Sequence, residues 1–124
     1  MKKTLTSITI AMAALLSMAA CASPAPAPSI AVTSSTVVVD VRTAPEYEGG
    51  HLQDAINIDV QSPDFDTLIA ALPTDGDYII YCATGNRSAA AVTRMADLGF
   101  TTLTDAGGIT DASATTGLAI VVDK

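Results

Sequence analysis

The stretch that most restricts how this chain can fold is residues 77–99, "DYIIYCATGNRSAAAVTRMADLG". "DYIIYC" is rich in β-branched and aromatic residues, the composition of a buried strand. "RSAAAVTRMADLG" is rich in helix formers and ends on Gly99, a suitable residue just past a helix C-terminus. The helix is expected over 87–99, with Val92, Met95, Ala96 and Gly99 toward a sheet. Between strand and helix lie Ala83, Thr84, Gly85 and Asn86, and the last two types tolerate left-handed backbone angles. A strand, a tight curl and a helix in direct succession point to a parallel α/β unit.

The rest of the chain repeats that alternation. "STVVVDV" (35–41), "AINI" (55–58), "FTTLTDAGG" (100–108) and "LAIVV" (118–122) read as strands, and "APEYEGG" (44–50) as a turn or short helix. "SPDFDTLIAALP" (62–73) has Ser62 as a cap, Pro63 at the first helical position and Pro73 as a stop. Phe65, Leu68, Ile69 and Leu72 form its apolar stripe. These elements predict an α/β three-layer sandwich over 29–124, with a small, mainly parallel central sheet and helices on both faces. A domain of this size buries only ~60–65% of its unfolded surface, so modest stability is expected.

Residues 1–21, "MKKTLTSITIAMAALLSMAAC", have two lysines, an apolar run and small residues before a cysteine. This is a secretory signal pattern, too short for a comfortable bilayer span. Its end resembles a bacterial lipoprotein signal, which implies lipidation of Cys21; ordinary cleavage after Ala22 is the alternative. The Pro/Ala tract 22–28 then serves as a stiff tether. The expected location is the extracytoplasmic side of the cell envelope, or the exterior if cleavage is ordinary. From Cys21 onward four basic side chains stand against thirteen acidic ones, a net −9. Such a surface repels nucleic acid and anionic lipid, leaving the lipid anchor as the membrane contact.

With Cys21 in the tether, Cys82 is the one thiol of the domain. A free cysteine can be a small core hydrophobe. At a strand's carboxyl end, however, it faces a curl of inward amides and the positive end of a helix, an arrangement that binds anions. A thiol there is expected to have a lowered pKa. An unpaired thiol kept in an oxidising compartment also calls for a role.

Residues 82–88, "CATGNRS", resemble the active-site loop of rhodanese-homology domains, the sulfurtransferase family. "VVVDVRTAPEYEGGHLQDAINI" (37–58) is similar to the family's Asp-x-Arg, Glu-Tyr/Phe and Gly-His-Leu/Ile motifs, and "LGFTTLTDAGGI" (98–109) to its Gly-Phe strand and Gly-Gly pair. The resemblance implies a single rhodanese-like domain and a Cys82 persulfide, formed from a small sulfur-containing anion such as thiosulfate or from another persulfide. The loop 83–88 (Ala83, Thr84, Gly85, Asn86, Arg87 and Ser88) would hold the terminal sulfur until a thiol, cyanide or a protein acceptor removed it. No metal or organic cofactor is implied. Related phosphatases place five residues between cysteine and arginine, whereas this chain has four. A relay or redox-sensing module on the envelope, without useful turnover, is the alternative function.

Individual residues divide similarly. Arg87 either binds an anionic donor or pairs with an acid, and Ser88 either lines the cradle or caps the helix. Asp40 and Arg42 are expected in support, bonding loop backbone and pairing with Glu46. The resemblance gives His51 a turn-supporting role; alternation makes Tyr81 core. Glu48, Asp64, Asp66, Asp75 and Asp77 read as solvated acids. Three features depart from the family: Asp54 replaces a glycine, no Trp follows Gly107-Gly108, and "SIAVTSST" is too short for the helix usual before the first strand. The expected consequences are a lightly packed 110–117 segment with a mobile site mouth, and one thinly covered sheet face.

Overall fold

The computed structural model describes residues 29–124. Residues 1–28, where a signal segment with Cys21 (1–21) and a tether (22–28) are expected, lie outside the described residues. In chain order the elements are β1 (Thr36–Asp40), α1 (Ala44–Glu48), β2 (His51–Leu52), β3 (Ile56–Asn57), α2 (Phe65–Ala70), β4 (Asp77–Cys82), α3 (Asn86–Asp97), β5 (Thr102–Gly108), α4 (Ile109–Thr116) and β6 (Ile120–Val121).

Four strands make one parallel sheet in the order β3-β1-β4-β5. β4 is central, and every residue of it after Asp77 is buried. Its alternation sorts the core into two layers. Tyr78, Ile80 and Cys82 face Phe65 and Ile69 of α2 and Ala91 and Met95 of α3. Ile79 and Tyr81 face Leu52 of β2, Ala112 of α4 and Tyr47 of α1. The α/β sandwich with helices on both faces is therefore the fold.

Several boundaries differ from expectation for local reasons. α2 begins at Phe65, because residues 62–64 form a turn in which Ser62 Oγ accepts the Asp64 amide at 3.2 Å instead of capping a helix. Its short length buries Phe65 and Ile69 but leaves Leu68 half exposed. α3 starts one residue early, at Asn86, and buries Ser88, Ala91 and Met95, with Ala96 and Gly99 in solvent. Gly99 still follows the helix with φ +98°. Asp54 adopts φ +63°, as its place in a glycine-type turn requires.

The C-terminal third holds the main corrections. Segment 110–117 is largely the helix α4, running from an extended Gly108 to a left-handed Gly117. Ala112 is fully buried, and the Ser113 hydroxyl closes the helix end by donating to Leu118 O at 2.7 Å. Small residues here let the helix lie close to the sheet, where the sequence suggested looseness. No helix among the described residues precedes β1, yet α4, α1 and β2 cover the face that such a helix would serve. Ile30 packs there too, and its amide bonds Thr115 O at 2.9 Å. β6 is shorter than the expected strand and joins β2 in a separate antiparallel pair, outside the central sheet.

Candidate active site

Cys82 ends the central strand, where β4 pairs with Gly108 of β5 on one side and, one residue earlier, with Asp40 of β1 on the other. The chain then curls through Ala83 and Thr84 to Gly85, whose φ of +104° closes the turn. A side chain on Gly85 would be strained at that angle. Asn86 is already helical, so one left-handed residue suffices. Gly85 is the N-cap of α3, which makes Ser88 the third helical residue and excludes it as the cap.

The curl brings its donors to sulfur. Gly85 N–H donates to Cys82 Sγ at 2.9 Å, and Ser88 Oγ lies 3.6 Å from the same atom. Ser88 is buried, and its hydroxyl also donates to Gly85 O at 3.0 Å. Burial pushes the Cys82 thiol up, but the Ser88 amide and hydroxyl, with the Gly85 and Thr84 amides, together hold it below the ordinary thiol range. The first turn of α3 adds the positive end of its dipole. Cys82 is thus both a core residue and the focus of a donor ring. It is also fully buried. Ala83 and Gly85 are half-buried, and Thr84 and Asn86 face solvent on the covering curl.

Arg87 reaches toward α1. Its Nη1 and Nη2 donate to Glu46 Oε2 and Oε1, each at 2.8 Å. Glu46 also receives the Thr43 amide and hydroxyl at 3.0 and 2.9 Å, completing the N-terminus of α1. The Arg87 bonds first, then those from Thr43, draw the Glu46 carboxyl down to about 2. Of the two readings of Arg87, the structure holds the paired one.

Asp40 and Arg42 do not meet Glu46. They pair with each other, Arg42 Nη2 to Asp40 Oδ2 at 2.7 Å, in a largely buried network. Arg42 Nη2 also donates to Gly50 O, and Asn57 Nδ2 to the carbonyls of both Asp40 and Arg42. Tyr81 is core, as alternation requires, and carries a polar task besides: its hydroxyl donates to Asp40 Oδ2 at 2.7 Å and accepts the Leu52 amide at 2.9 Å. A buried ionic group needs all its bonds met, and here they are. The network clamps β1 to β4 one residue before Cys82.

His51 stacks on Tyr47 with ring centroids 3.9 Å apart, and its Nδ1 lies 3.1 Å from Tyr47 O. That is the turn-supporting place expected. Among the acids taken as solvated, Asp66 pairs with Arg94, and Asp77 accepts the Thr36 hydroxyl. Sequence reasoning missed Glu46 as the partner of Arg87, and Asn57 and Tyr81 in the Asp40 network. Each lies far along the chain from its partner, and no local pattern announces the pairing.

The sequence matches the family described as Rhodanese-like domain over residues 29–114. It is 31% identical over 84 residues to the thiosulfate sulfurtransferase PspE of Escherichia coli, covering 67% of this chain and 80% of that protein. A sulfurtransferase of Allochromatium vinosum is 30% identical over 95 residues, covering 77% and 87% of the two chains. Among solved structures, a rhodanese with anions from E. coli superposes with a TM-score of 0.60 at 26% identity, covering 71% of this chain and 99% of its own. The chain therefore belongs to the rhodanese-like domain family.

Proposed function

We propose that Cys82 carries sulfur between a donor and a thiophilic acceptor. Its thiolate attacks the outer sulfur of a donor such as thiosulfate; the bond between the two donor sulfurs breaks, and sulfite leaves with the bonding pair. The new persulfide keeps one negative charge on its terminal sulfur, for which the amides of the curl are the stabilising donors. A small thiol, cyanide or a protein thiol then takes that sulfur and restores the Cys82 thiolate.

The observation that carries this reading is the Gly85 amide on Cys82 Sγ at 2.9 Å, within a curl that also holds Ser88 beside the sulfur. The names of the sulfurtransferase relatives support it. Mass spectrometry after thiosulfate treatment tests the step. A gain of one sulfur on the Cys82 peptide, removed by cyanide, is expected, and no gain overturns the reading.

We further propose, from segment 1–28 alone, that the domain is exported and anchored to the envelope through a lipid on Cys21. Fatty-acid incorporation that disappears in Cys21→Ala is the expected result. Incorporation unchanged by that substitution, or absent from the unaltered chain, overturns the anchor.

A further inference from the structure

The curl around Cys82 is held differently at its two ends. Its entrance is seated against β5: a Cβ on Gly108 would stand 2.7 Å from Ala83 O, and one on Gly85 would stand 3.6 Å from Gly107 Cα. At its exit Thr84 and Asn86 face solvent, and the side chain that reaches another element is that of Arg87, on α1. Arg87 lies in the first turn of α3, between Gly85, whose amide donates to Cys82 Sγ at 2.9 Å, and Ser88, whose hydroxyl lies 3.6 Å from the same sulfur. Gly85 O accepts both the Ser88 hydroxyl at 3.0 Å and the Ala89 amide at 3.2 Å, which ties that turn into one unit. A tether on Arg87 therefore acts on both sulfur contacts together.

The other end of the tether is fixed independently. Glu46 is the third residue of α1, and its Oε2 accepts the Thr43 amide at 3.0 Å and the Thr43 hydroxyl at 2.9 Å. Its neighbour Tyr47 donates its hydroxyl to Ala55 O at 2.7 Å and stacks on the buried His51 ring at 3.9 Å. Onto this anchored carboxylate Arg87 places both terminal nitrogens, each at 2.8 Å. A bidentate pair sets orientation as well as distance. Arg94 makes a useful contrast: it meets Asp66 of α2 at the same 2.8 Å, on the same helix, about two turns beyond the curl.

We infer that Glu46 is a positioning residue for the Cys82 cradle: through Arg87 it holds the first turn of α3 in the orientation that aims the Gly85 amide and Ser88 at the sulfur. The inference rests on the Cys82 persulfide reading and adds to it a residue on a separate helix.

Charge and position predict opposite signs at the thiol. Removing the Glu46 carboxylate leaves the Arg87 guanidinium uncompensated, and that charge alone would favour the thiolate and lower the pH of titration. Loosening the donors takes hydrogen bonds from the thiolate and raises it.

In the full chain, the NMR resonance of the Cys82 Cβ reports the titration, and mass spectrometry of the Cys82 peptide reports the rate of persulfidation by thiosulfate. Glu46→Gln keeps the length of the side chain and removes the matched fork. Its Cys82 is expected to titrate at higher pH than in the unaltered chain, and its persulfidation to be about tenfold slower. Asp66→Asn breaks an ion pair of equal length on the same helix, and both readouts are expected to stay unchanged. Titration of Glu46→Gln at the same or a lower pH, an unchanged rate, or an equal effect of Asp66→Asn overturns the positioning role and leaves the persulfide reading intact. No gain of sulfur by the unaltered chain overturns the persulfide reading itself.

Discussion

Gly108 and Ala83 lie so close that a Cβ on the glycine would stand 2.7 Å from the Ala83 carbonyl oxygen. That contact seats the end of β5 directly against the first residue of the cradle. It explains physically why β5 ends on a glycine: a side chain on Gly108 would push the curl off the sulfur.

Gly108→Ala is therefore expected to disturb the cradle as well as the fold. Overpacking of this kind costs about 1–3 kcal/mol, read by urea unfolding. The more specific outcome is a slower Cys82 persulfidation that persists under conditions where the variant is fully folded. A persulfidation rate equal to the unaltered chain's would show that the contact does not shape the site.

Cys82→Ser removes the nucleophile while keeping its shape and an acceptor for the Gly85 amide. Thiosulfate:cyanide sulfurtransfer is expected to fall at least ~10³-fold, because a hydroxyl cannot carry the transferred sulfur. Circular dichroism should be unchanged. Equal rates in the two proteins would exclude Cys82.

Ser88→Ala deletes one of the donors that offset burial at the thiol. The thiolate's ultraviolet absorbance should titrate below the ordinary thiol range in the unaltered chain, and at higher pH in the variant. Coincident titrations would assign the whole effect to the amides.

The Glu46–Arg87 pair has a defined pH signature. The Glu46 carboxyl is drawn down from an ordinary 4.5 to about 2 in the folded protein. Its contribution is therefore present above about pH 4.5 and is lost as pH falls toward about 2. The pair is partly exposed, so its worth is under about 1 kcal/mol. Urea unfolding of Glu46→Gln should show a small deficit at pH 6 that shrinks by about pH 3. A deficit that does not change between those pH values would contradict the assignment.

Tyr81→Phe strips one hydroxyl from the buried network. The Leu52 amide loses its acceptor and Asp40 a donor. Leaving such groups unmet costs about 1–3 kcal/mol. The midpoint of urea unfolding should fall accordingly, with the m value unchanged, and the folded variant should still form the Cys82 persulfide.

Much of this protein is written locally. "DYIIYC" reads as a strand over the same residues that form β4, and Gly85 and Gly99 mark both ends of α3 with left-handed angles. The cysteine's place at a strand end before a curl could be read from spacing alone. Strand alternation, glycine angles and helix punctuation are properties of neighbouring residues, so one sequence displays them.

What the tertiary structure decided is partnership. Glu46 and Arg87 stand 41 positions apart, as do Tyr81 and Asp40, and the four arginine or lysine charges among thirteen acids from Cys21 onward offer many equivalent pairings on paper. Packing selects one. Likewise α4 is built from small residues whose weak periodicity gave little sign of a helix, and β6 pairs with two residues of β2 that no alternation could reveal. The sulfur's full burial belongs here as well, since it depends on β5 and α3 closing over the curl together. Local chemistry determines what each segment can become; only the sum of long-range contacts determines what it meets.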